Sequence, residues 1–289
     1  MTDIDEKIII FLVEIEKIDP IIKAALKEDM PEGDITSESI IPFEKESEAF
    51  ILAKEEGVLA GIEVAKRVFE IINPEVTFKK NLEDGQAFGK DETLAKIRGH
   101  SISILKGERT SLNFIQRLSG IATTTRKFVQ AVAGTKTKIL DTRKTTPGLR
   151  ILEKYAVRMG GGTNHRFNLS EMVLIKDNHL KIAGNISQAV RKAKENVKEG
   201  VKIEVEVTDL VDVKEAVQSG ADVIMLDNMK MEEIKEAVKW VKGRVTLEVS
   251  GKVDLRKVKE IASSGVDFIS VGSLTHSYRS LDMSMEFSS

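Results

Sequence analysis

The sequence of 289 residues contains no cysteine. This absence excludes disulfides, thiolate metal sites, iron–sulfur clusters and a cysteine nucleophile. A long hydrophobic run is also missing, because the longest one, Ile8 to Val13, is far too short to cross a bilayer and lacks the basic flank and cleavage site of a signal peptide. We therefore expect a cytoplasmic protein that does not associate with a membrane.

Charge of one sign is not in excess either. The 44 Lys and Arg residues nearly balance the 46 Asp and Glu residues, which leaves a formal net charge of −2. One Trp and two Tyr offer few aromatic rings for stacking on bases. The composition therefore argues against nucleic-acid binding, and any anionic ligand must be bound by a local cluster of basic groups.

The first part of the chain is typical of a small mixed α+β domain, which we place at residues 1–115. The spacing of apolar residues separates helical stretches from alternating, strand-like ones. The predicted elements are a short helix opened by Asp19 and Pro20 and ending near Glu28, antiparallel strands within 47–61 and 91–107, and a helix over 62–72.

A different rhythm follows a predicted helix over 108–133. Short apolar runs alternate with amphipathic helical patterns, which predicts βα units and a parallel sheet within a second domain, residues 116–276. We expect the tail, residues 277–289, to return to the first domain. The six runs are KILD (138–141), EMVLIK (171–176), KIEVEV (202–207), DVIML (222–226), VTLEV (245–249) and DFISV (267–271).

Each of these runs ends in or carries polar residues. In parallel α/β folds the ligand binds at the carboxyl ends of the strands, so we expect these polar groups to converge on one pocket.

A basic cluster lies among the strand ends. Arg presents a planar fork to carboxylate or phosphate, while Lys supplies a point charge. Three glycines, 160–162, precede two members of the cluster and let the backbone approach a ligand closely. The cluster predicts a substrate with more than one anionic group. Its members are Arg143, Lys144, His165, Arg166 and Lys176.

Acidic residues end the neighbouring runs. Glu206 and Asp227 are placed to hold a hard cation such as Mg²⁺, usually with a phosphate completing the shell. The alternative is that they only pair with the basic cluster. For Glu204 we favour a structural role, as a charge buried in an ion pair.

Small residues follow the last two runs, at Ser250-Gly251 and Gly272-Ser273. Parallel barrels commonly build a phosphate cradle from backbone N–H groups there, although glycine after a strand is also ordinary turn chemistry. Together, these features predict a site for a phosphorylated, metal-bound ligand beside a multiply anionic one, which points to group transfer from a phosphorylated donor.

A series of characteristic strings occurs in order from about Glu28 to His276. They are EDMPEGDIT, ERTSLNFIQRLSGIAT, DTRKTTPGLR, AVRMGGGTNHRFNLSEMVLIKDNH, EVEV, IMLDN, LEVSG and ISVGSLTHS. With these strings the chain resembles the quinolinate phosphoribosyltransferase family. The resemblance implies an open, incomplete α/β barrel of parallel strands with a smaller N-terminal α+β domain. It also implies transfer of phosphoribosyl from phosphoribosyl pyrophosphate to quinolinate, which yields nicotinate mononucleotide, pyrophosphate and CO₂ for NAD synthesis.

The resemblance also implies roles for individual residues. Lys144, Lys176, Glu206 and Asp227 are expected to be catalytic. The residues expected to bind quinolinate are Arg109, Thr142, Arg143, Lys144, His165, Arg166 and Lys176. Those expected to bind phosphoribosyl pyrophosphate are Glu206, Asp227, Ser250, Gly251, Lys252, Ser270 and Gly272.

Two further expectations come from the family. Glu206 and Asp227 are expected to hold Mg²⁺, directly or through water. Arg109 is expected to reach the site of a neighbouring subunit, which implies a homodimer or a larger oligomer built from dimers. Lys252 departs from the family, which more often has a second glycine there.

Two other functions compete with this one. A sister phosphoribosyltransferase, such as the molybdenum-associated paralogue, would use a different acceptor on the same fold. A non-catalytic sensor of phosphoribosyl pyrophosphate would need the donor site only. The complete basic cluster favours quinolinate over both.

Overall fold

The computed structural model describes residues 3–288, with side chains from residue 16 onward. The predicted apolar run from Ile8 to Val13 therefore lies outside the described side chains. The helices are α1 Asp3–Asp29, α2 Ile35–Ile40, α3 Ile62–Ile72, α4 Ser101–Ala131, α5 Arg150–Met159, α6 Asp177–Ala183, α7 Ile186–Asn196, α8 Leu210–Gln218, α9 Met231–Val241, α10 Val258–Ser263 and α11 Ser273–His276. The strands are β1 Glu46–Ala53, β2 Gly57–Val58, β3 Thr77–Lys80, β4 Ala87–Phe88, β5 Thr93–His100, β6 Lys138–Leu140, β7 Val173–Ile175, β8 Ile203–Val207, β9 Val223–Asp227, β10 Thr246–Ser250, β11 Phe268–Ser270 and β12 Met283–Phe287.

The chain divides into two compact units. The first comprises residues up to 124, residues 146–161 and residues from 278 onward, and the second comprises 125–145 and 162–277. The sequence-based boundaries differ, because they assign the whole of 116–276 to the second domain. Helix α5 belongs to the first unit since its Tyr155 hydroxyl donates to Asp84 Oδ2 over 2.7 Å, and its buried Glu153 pairs with Arg117.

The first unit is built on an antiparallel sheet in the order β12-β1-β5-β3. Strand β12, from the C-terminal tail, pairs with β1 in a register that runs from Ala49 opposite Phe287 to Ala53 opposite Met283. Apolar residues of this sheet pack with α3 and α4 into one core. It includes Ile51, Phe69, Leu94, Ile97, Ile104 and Leu112.

Two predicted elements of this unit are wrong in their bounds. The first helix does not begin at Asp19 and Pro20 but contains Pro20, since Asp19 is held by Arg67 and the buried Ile18 and Ile22 lie one turn apart on α1. Its predicted end near Glu28 agrees with the observed end at Asp29.

The second error is the strand predicted to continue through residues 101–107. Helix α4 begins at Ser101, and the buried residues Ser101, Ile104 and Gly107 recur every three positions. Gly107 allows close packing, because a Cβ atom there would lie 2.4 Å from Cε1 of Phe69. The alternation of Ile102 and Ile104 suggested a strand. The segment is instead helical, and its Gly107 packs against the ring of Phe69.

The second unit confirms the predicted parallel sheet. Six strands lie in the order β6-β11-β10-β9-β8-β7 and all pair in parallel. Within the described residues, β6 and β7 are the two edges, so the sheet is an open barrel wall. Helices alternate with the strands, and the carboxyl ends of all six strands face one side, as βα units require.

Among the helices described in residues 3–288, none combines the length and the apolar composition that a membrane span needs.

Candidate active site

One cavity of about 620 Å³ lies at the carboxyl ends of the parallel strands of the second unit. Every strand of the sheet, or the loop after it, contributes to its wall. Most of the wall is polar or charged, which suits an anionic ligand. The lining residues are Thr142, Arg143, Lys144, His165, Arg166, Leu174, Lys176, Glu206, Met225, Asp227, Asn228, Ser250, Gly251, Lys252 and Ser270.

The cavity brings together all but two of the residues expected to bind quinolinate or phosphoribosyl pyrophosphate. Arg109 lies on α4 in the first unit and is exposed. Gly272 lies directly before α11, where a Cβ atom would come within 3.1 Å of Lys144 Cδ and 3.2 Å of His276 Nε2. Glycine at this position therefore lets the Lys144 side chain pass close to the loop.

One side of the cavity is strongly basic. Burial, and secondly the neighbouring positive charge of Arg143, lower the pKa of Arg166. The Nη1 atom of Arg166 donates a hydrogen bond to the carbonyl oxygen of Met172 over 2.8 Å, which helps to fix the orientation of the guanidinium. Thr275 donates to the carbonyl of Lys144 over 2.9 Å. An anion bound here would offset the mutual repulsion of these cations.

The opposite side carries the two carboxylates on neighbouring strands. Glu206 is the last but one residue of β8, and Asp227 is the last residue of β9. The Oε2 atom of Glu206 lies 3.1 Å from Nζ of Lys176. Asp227 Oδ2 accepts a hydrogen bond from the Asn228 side-chain amide over 2.8 Å. The chemistry of these hard oxygen donors fits Mg²⁺.

The loop after β10 has the backbone of an anion cradle. Gly251 has φ of +95° and Lys252 has φ of +46°, so both lie in the left-handed region. A Cβ atom on Gly251 would lie 2.4 Å from Asn228 Oδ1, and Asn228 in turn donates its N–H to the Ser250 carbonyl over 3.0 Å. A larger residue at position 251 would have to displace the Asn228 side chain and would also adopt a left-handed conformation that favours glycine.

The loop that carries His165 and Arg166 is anchored from below by a buried acid. Asp141 is fully buried at the end of β6; its Oδ1 accepts from the His165 N–H over 2.9 Å, and its Oδ2 accepts from the Asn164 amide over 2.5 Å. Sequence reasoning missed Asp141 as a site residue. Its position immediately before the Thr142-Arg143-Lys144 run was the signal that could have identified it.

Two further acids lie beneath the basic side. Glu204, expected as a buried ion-pair member, is fully buried with Oε2 at 3.0 Å from His165 Nε2. Glu248, on β10, lies with Oε2 at 3.5 Å from the same nitrogen, and its other oxygen accepts a hydrogen bond from Ser270. The sequence analysis did not identify Glu248, although it alternates with buried apolar residues on a strand that ends in the phosphate loop.

Comparisons with known proteins agree over nearly the whole chain. Residues 34–119 match the model of the quinolinate phosphoribosyl transferase N-terminal domain, and residues 121–286 match that of its C-terminal domain. A Bacillus subtilis (strain 168) protein named probable nicotinate-nucleotide pyrophosphorylase [carboxylating] is 45% identical over 259 residues, which cover 90% of this chain and 89% of the relative. The chloroplastic protein of that name from Arabidopsis thaliana is 43% identical and covers 92% of this chain and 81% of the relative.

Solved structures show the same likeness. The crystal structure of NadC from Streptococcus pyogenes superposes with a TM-score of 0.91 at 42% identity, covering 94% of this chain and 96% of that one.

Proposed function

The chain belongs to the quinolinate phosphoribosyltransferase family, and we propose that it transfers phosphoribosyl from phosphoribosyl pyrophosphate to quinolinate with loss of CO₂. The products are nicotinate mononucleotide and pyrophosphate, as in NAD biosynthesis. The observation that carries this proposal is that one cavity is lined by a cluster of basic residues, by the carboxylates of Glu206 and Asp227 and by the loop Ser250-Gly251-Lys252.

The basic side suits an acceptor with two carboxylates. Quinolinate carries both on one pyridine ring, and the guanidinium groups of Arg143 and Arg166 can each bind a carboxylate through two parallel hydrogen bonds. Thr142, at the same strand end, adds a hydroxyl. A dianion would also stabilise the protonated form of Arg166, whose pKa is lowered in the free protein. Nicotinate, with a single carboxylate, would leave half of these cations unpaired.

The other side suits the donor. Ser250, Gly251 and Lys252 present backbone N–H groups and one ammonium to phosphate, and Ser270 and Gly272 extend this surface from the next loop. Glu206 and Asp227 would hold Mg²⁺, directly or through water, and the ion would neutralise charge on the pyrophosphate. In the free protein Lys176 pairs with Glu206, so donor binding must separate or rearrange this pair.

The reaction follows from this placement. The ring nitrogen of quinolinate attacks the ribose carbon as the bond from that carbon to pyrophosphate breaks, and the bonding electrons leave with pyrophosphate. Orientation of the ring by Arg143 and Arg166, and stabilisation of the leaving group by Lys144 and Lys176, supply most of the rate.

Decarboxylation needs no separate base. Once the ring nitrogen is quaternised, its positive charge stabilises the electron pair left on the ring when the adjacent carbon–carboxylate bond breaks. A proton from water then replaces the released CO₂. Lys144 and Lys176 are therefore assigned to charge stabilisation and to steering of this carboxylate.

The assembly belongs to the same proposal. Arg109 is exposed on α4, and in the family the matching arginine completes the quinolinate site of a neighbouring subunit. We therefore propose a homodimer, alone or within a larger oligomer. The expectation of a cytoplasmic protein stays a prediction, since curated plant relatives include chloroplastic and mitochondrial proteins.

A substrate panel tests the function. Purified protein with Mg²⁺ and phosphoribosyl pyrophosphate is given quinolinate or nicotinate, and nucleotide products are identified by mass. Nicotinate mononucleotide from quinolinate alone is expected. Product from nicotinate alone would assign the chain to a sister transferase, and donor binding without any product would support a sensor.

A further inference from the structure

A buried carboxylate lacks hydrogen-bond partners directly beneath the substrate cavity. Glu204 is 0% exposed, and neither of its carboxylate oxygens has a hydrogen-bond partner among the described residues. Its 3.0 Å approach to His165 Nε2 is an ion-pair distance without the alignment of a hydrogen bond. A buried carboxylate in this state is costly, so the structure must supply a compensating group.

The tautomer of His165 identifies that group. The backbone N–H of Arg166 donates to His165 Nδ1 over 2.8 Å, so Nδ1 carries a lone pair. The ring proton of neutral His165 then lies on Nε2, which faces Glu204 and, at 3.5 Å, Glu248. A small rotation of the ring or of the carboxylate would align this N–H with Glu204.

The same tautomer argues against a metal ion in this cluster. His165, Glu204 and Glu248 offer three ligand atoms within 4.8 Å of one another. A metal at this point would need the lone pair of Nε2, and Nδ1 would then have to carry the proton. That proton would oppose the Arg166 N–H, so the cluster is built for a proton on Nε2 and not for an ion.

The charges of the cluster agree with this arrangement. Burial and, secondly, the negative charge of Glu204 raise the pKa of Glu248 to about 8. The positive charge of Lys176 acts in the opposite direction, and so does the hydrogen bond from Ser270. Burial therefore favours the protonated form of Glu248, which reduces the negative charge that faces His165 Nε2.

We propose that Glu204 and Glu248 are positioning residues that hold His165 as the neutral Nε2–H tautomer, so that its Nδ1 fixes the backbone of Arg166. The sequence suggested that His165 is one of the cations of the basic cluster. In this proposal it is instead a neutral residue that holds the backbone of Arg166 in place. The consequence for quinolinate rests on the proposed function, because it assigns Arg166 to the substrate carboxylates. The tautomer itself does not depend on that function.

The direct test is ¹⁵N NMR of the histidine ring nitrogens in the intact wild-type protein at pH 7, with a His165→Asn variant to assign the signal. A neutral ring protonated on Nε2 is expected. An imidazolium, or a ring protonated on Nδ1, would overturn the proposal whether or not the protein acts on quinolinate.

Two Glu204 variants extend the test to substrate binding. Glu204→Leu removes the acceptor at similar volume and should raise the KM for quinolinate about tenfold, with less than about twofold change for phosphoribosyl pyrophosphate. Glu204→Gln keeps an acceptor oxygen and should stay within about threefold of wild type for both substrates. Equal changes of both KM values in folded Glu204→Leu would contradict a role that acts through Arg166.

Asp267→Asn is the matched control. Asp267 lies near the opposite, amino ends of β10 and β11, where it accepts from the Leu247 N–H over 2.9 Å. Asp267 also pairs with Lys136 over 2.6 Å, and loss of this ion pair in Asp267→Asn should lower the free energy of unfolding and leave the ratio of the two KM values unchanged. A shift of that ratio equal to the shift in Glu204→Leu would show a general loss of rigidity and would also contradict the proposal.

Discussion

The Nζ atom of Lys176 lies 3.1 Å from Oε2 of Glu206, and this pair joins the basic side of the cavity to its acidic side. Both side chains are partly accessible, with 44% of Lys176 and 15% of Glu206 exposed, so a ligand can reach and separate them. The pair therefore holds two opposite charges together where a ligand can reach them.

Removal of Lys176 tests this junction. Lys176→Ala should lower kcat by at least about 100-fold, because stabilisation of the leaving group is lost where charge develops. The matched control is Lys181→Ala, which removes an exposed lysine that pairs with Asp177 on the helix that follows β7. Steady-state kinetics should separate the two variants, and near-normal kcat in Lys176→Ala would contradict the assignment.

Arg166 should determine binding of the acceptor. Arg166→Ala should raise the KM for quinolinate by about 10- to 100-fold, the range for loss of a charge-assisted hydrogen bond, and leave binding of phosphoribosyl pyrophosphate nearly unchanged. Arg191→Ala removes an exposed arginine that pairs with Glu195 on α7, and it should change neither. Equal losses for both substrates would refute the assignment of Arg166 to the carboxylates.

A shared site predicts complementation between two inactive proteins. Arg109→Ala should impair the site that its arginine completes in a neighbour, whereas Lys176→Ala should impair the site of its own subunit. In each hybrid dimer one of the two sites has both residues intact. After verified subunit exchange, the hybrids should therefore recover about half of the wild-type activity, which is about a quarter for a statistical mixture of dimers. No recovery in exchanged dimers would show that Arg109 does not act across subunits.

Glu248 predicts a specific pH dependence of stability. Its pKa is raised from 4.5 to about 8 in the folded protein, so the folded state retains a proton that the unfolded state releases. The free energy of unfolding should therefore fall as the pH rises from about 4.5 to about 8, by at most about 1.4 kcal/mol per pH unit for this group.

Urea unfolding across that pH range checks this slope. Glu248→Gln cannot titrate at this position and should flatten the slope, whereas Asp267→Asn should lower stability and keep the wild-type slope. The same slope in wild type and Glu248→Gln would mean that Glu248 is ionised in the folded protein at neutral pH.

Gly251 should be irreplaceable for a steric reason. Gly251→Ala adds left-handed strain of about 1 kcal/mol and also a Cβ atom 2.4 Å from Asn228 Oδ1. Gly243→Ala adds comparable strain at φ of +74° with no atom within 4 Å of the new Cβ. The first variant should raise the KM for phosphoribosyl pyrophosphate and the second should not; equal KM values would argue that the loop does not bind the donor.

The regular elements that position the site could be predicted because their patterns are local. The helix over Ile62–Ile72 has the predicted bounds, and the six apolar runs are the six parallel strands. Parallel strands deliver their carboxyl ends to one side, so the convergence of Arg143, Lys176 and Asp227 also follows from the sequence.

The parts that could not be predicted depend on contacts distant in the chain. Gly107 needs the ring of Phe69 to explain why α4 starts early. Glu248 resembles an ordinary strand residue until the loop of residues 162–172 brings His165 next to it. His165 is read as a cation in the sequence, and only the hydrogen bond from the Arg166 N–H to its Nδ1 points to the neutral ring that we propose.

The most direct test of the account is the stoichiometry of CO₂ release. Quinolinate labelled in the carboxylate next to the ring nitrogen is incubated with the protein and Mg²⁺, with and without phosphoribosyl pyrophosphate. The account predicts one labelled CO₂ for each nicotinate mononucleotide, and none without the donor. Release of CO₂ without the donor, or a nucleotide that keeps both carboxylates, would contradict decarboxylation driven by the quaternised ring.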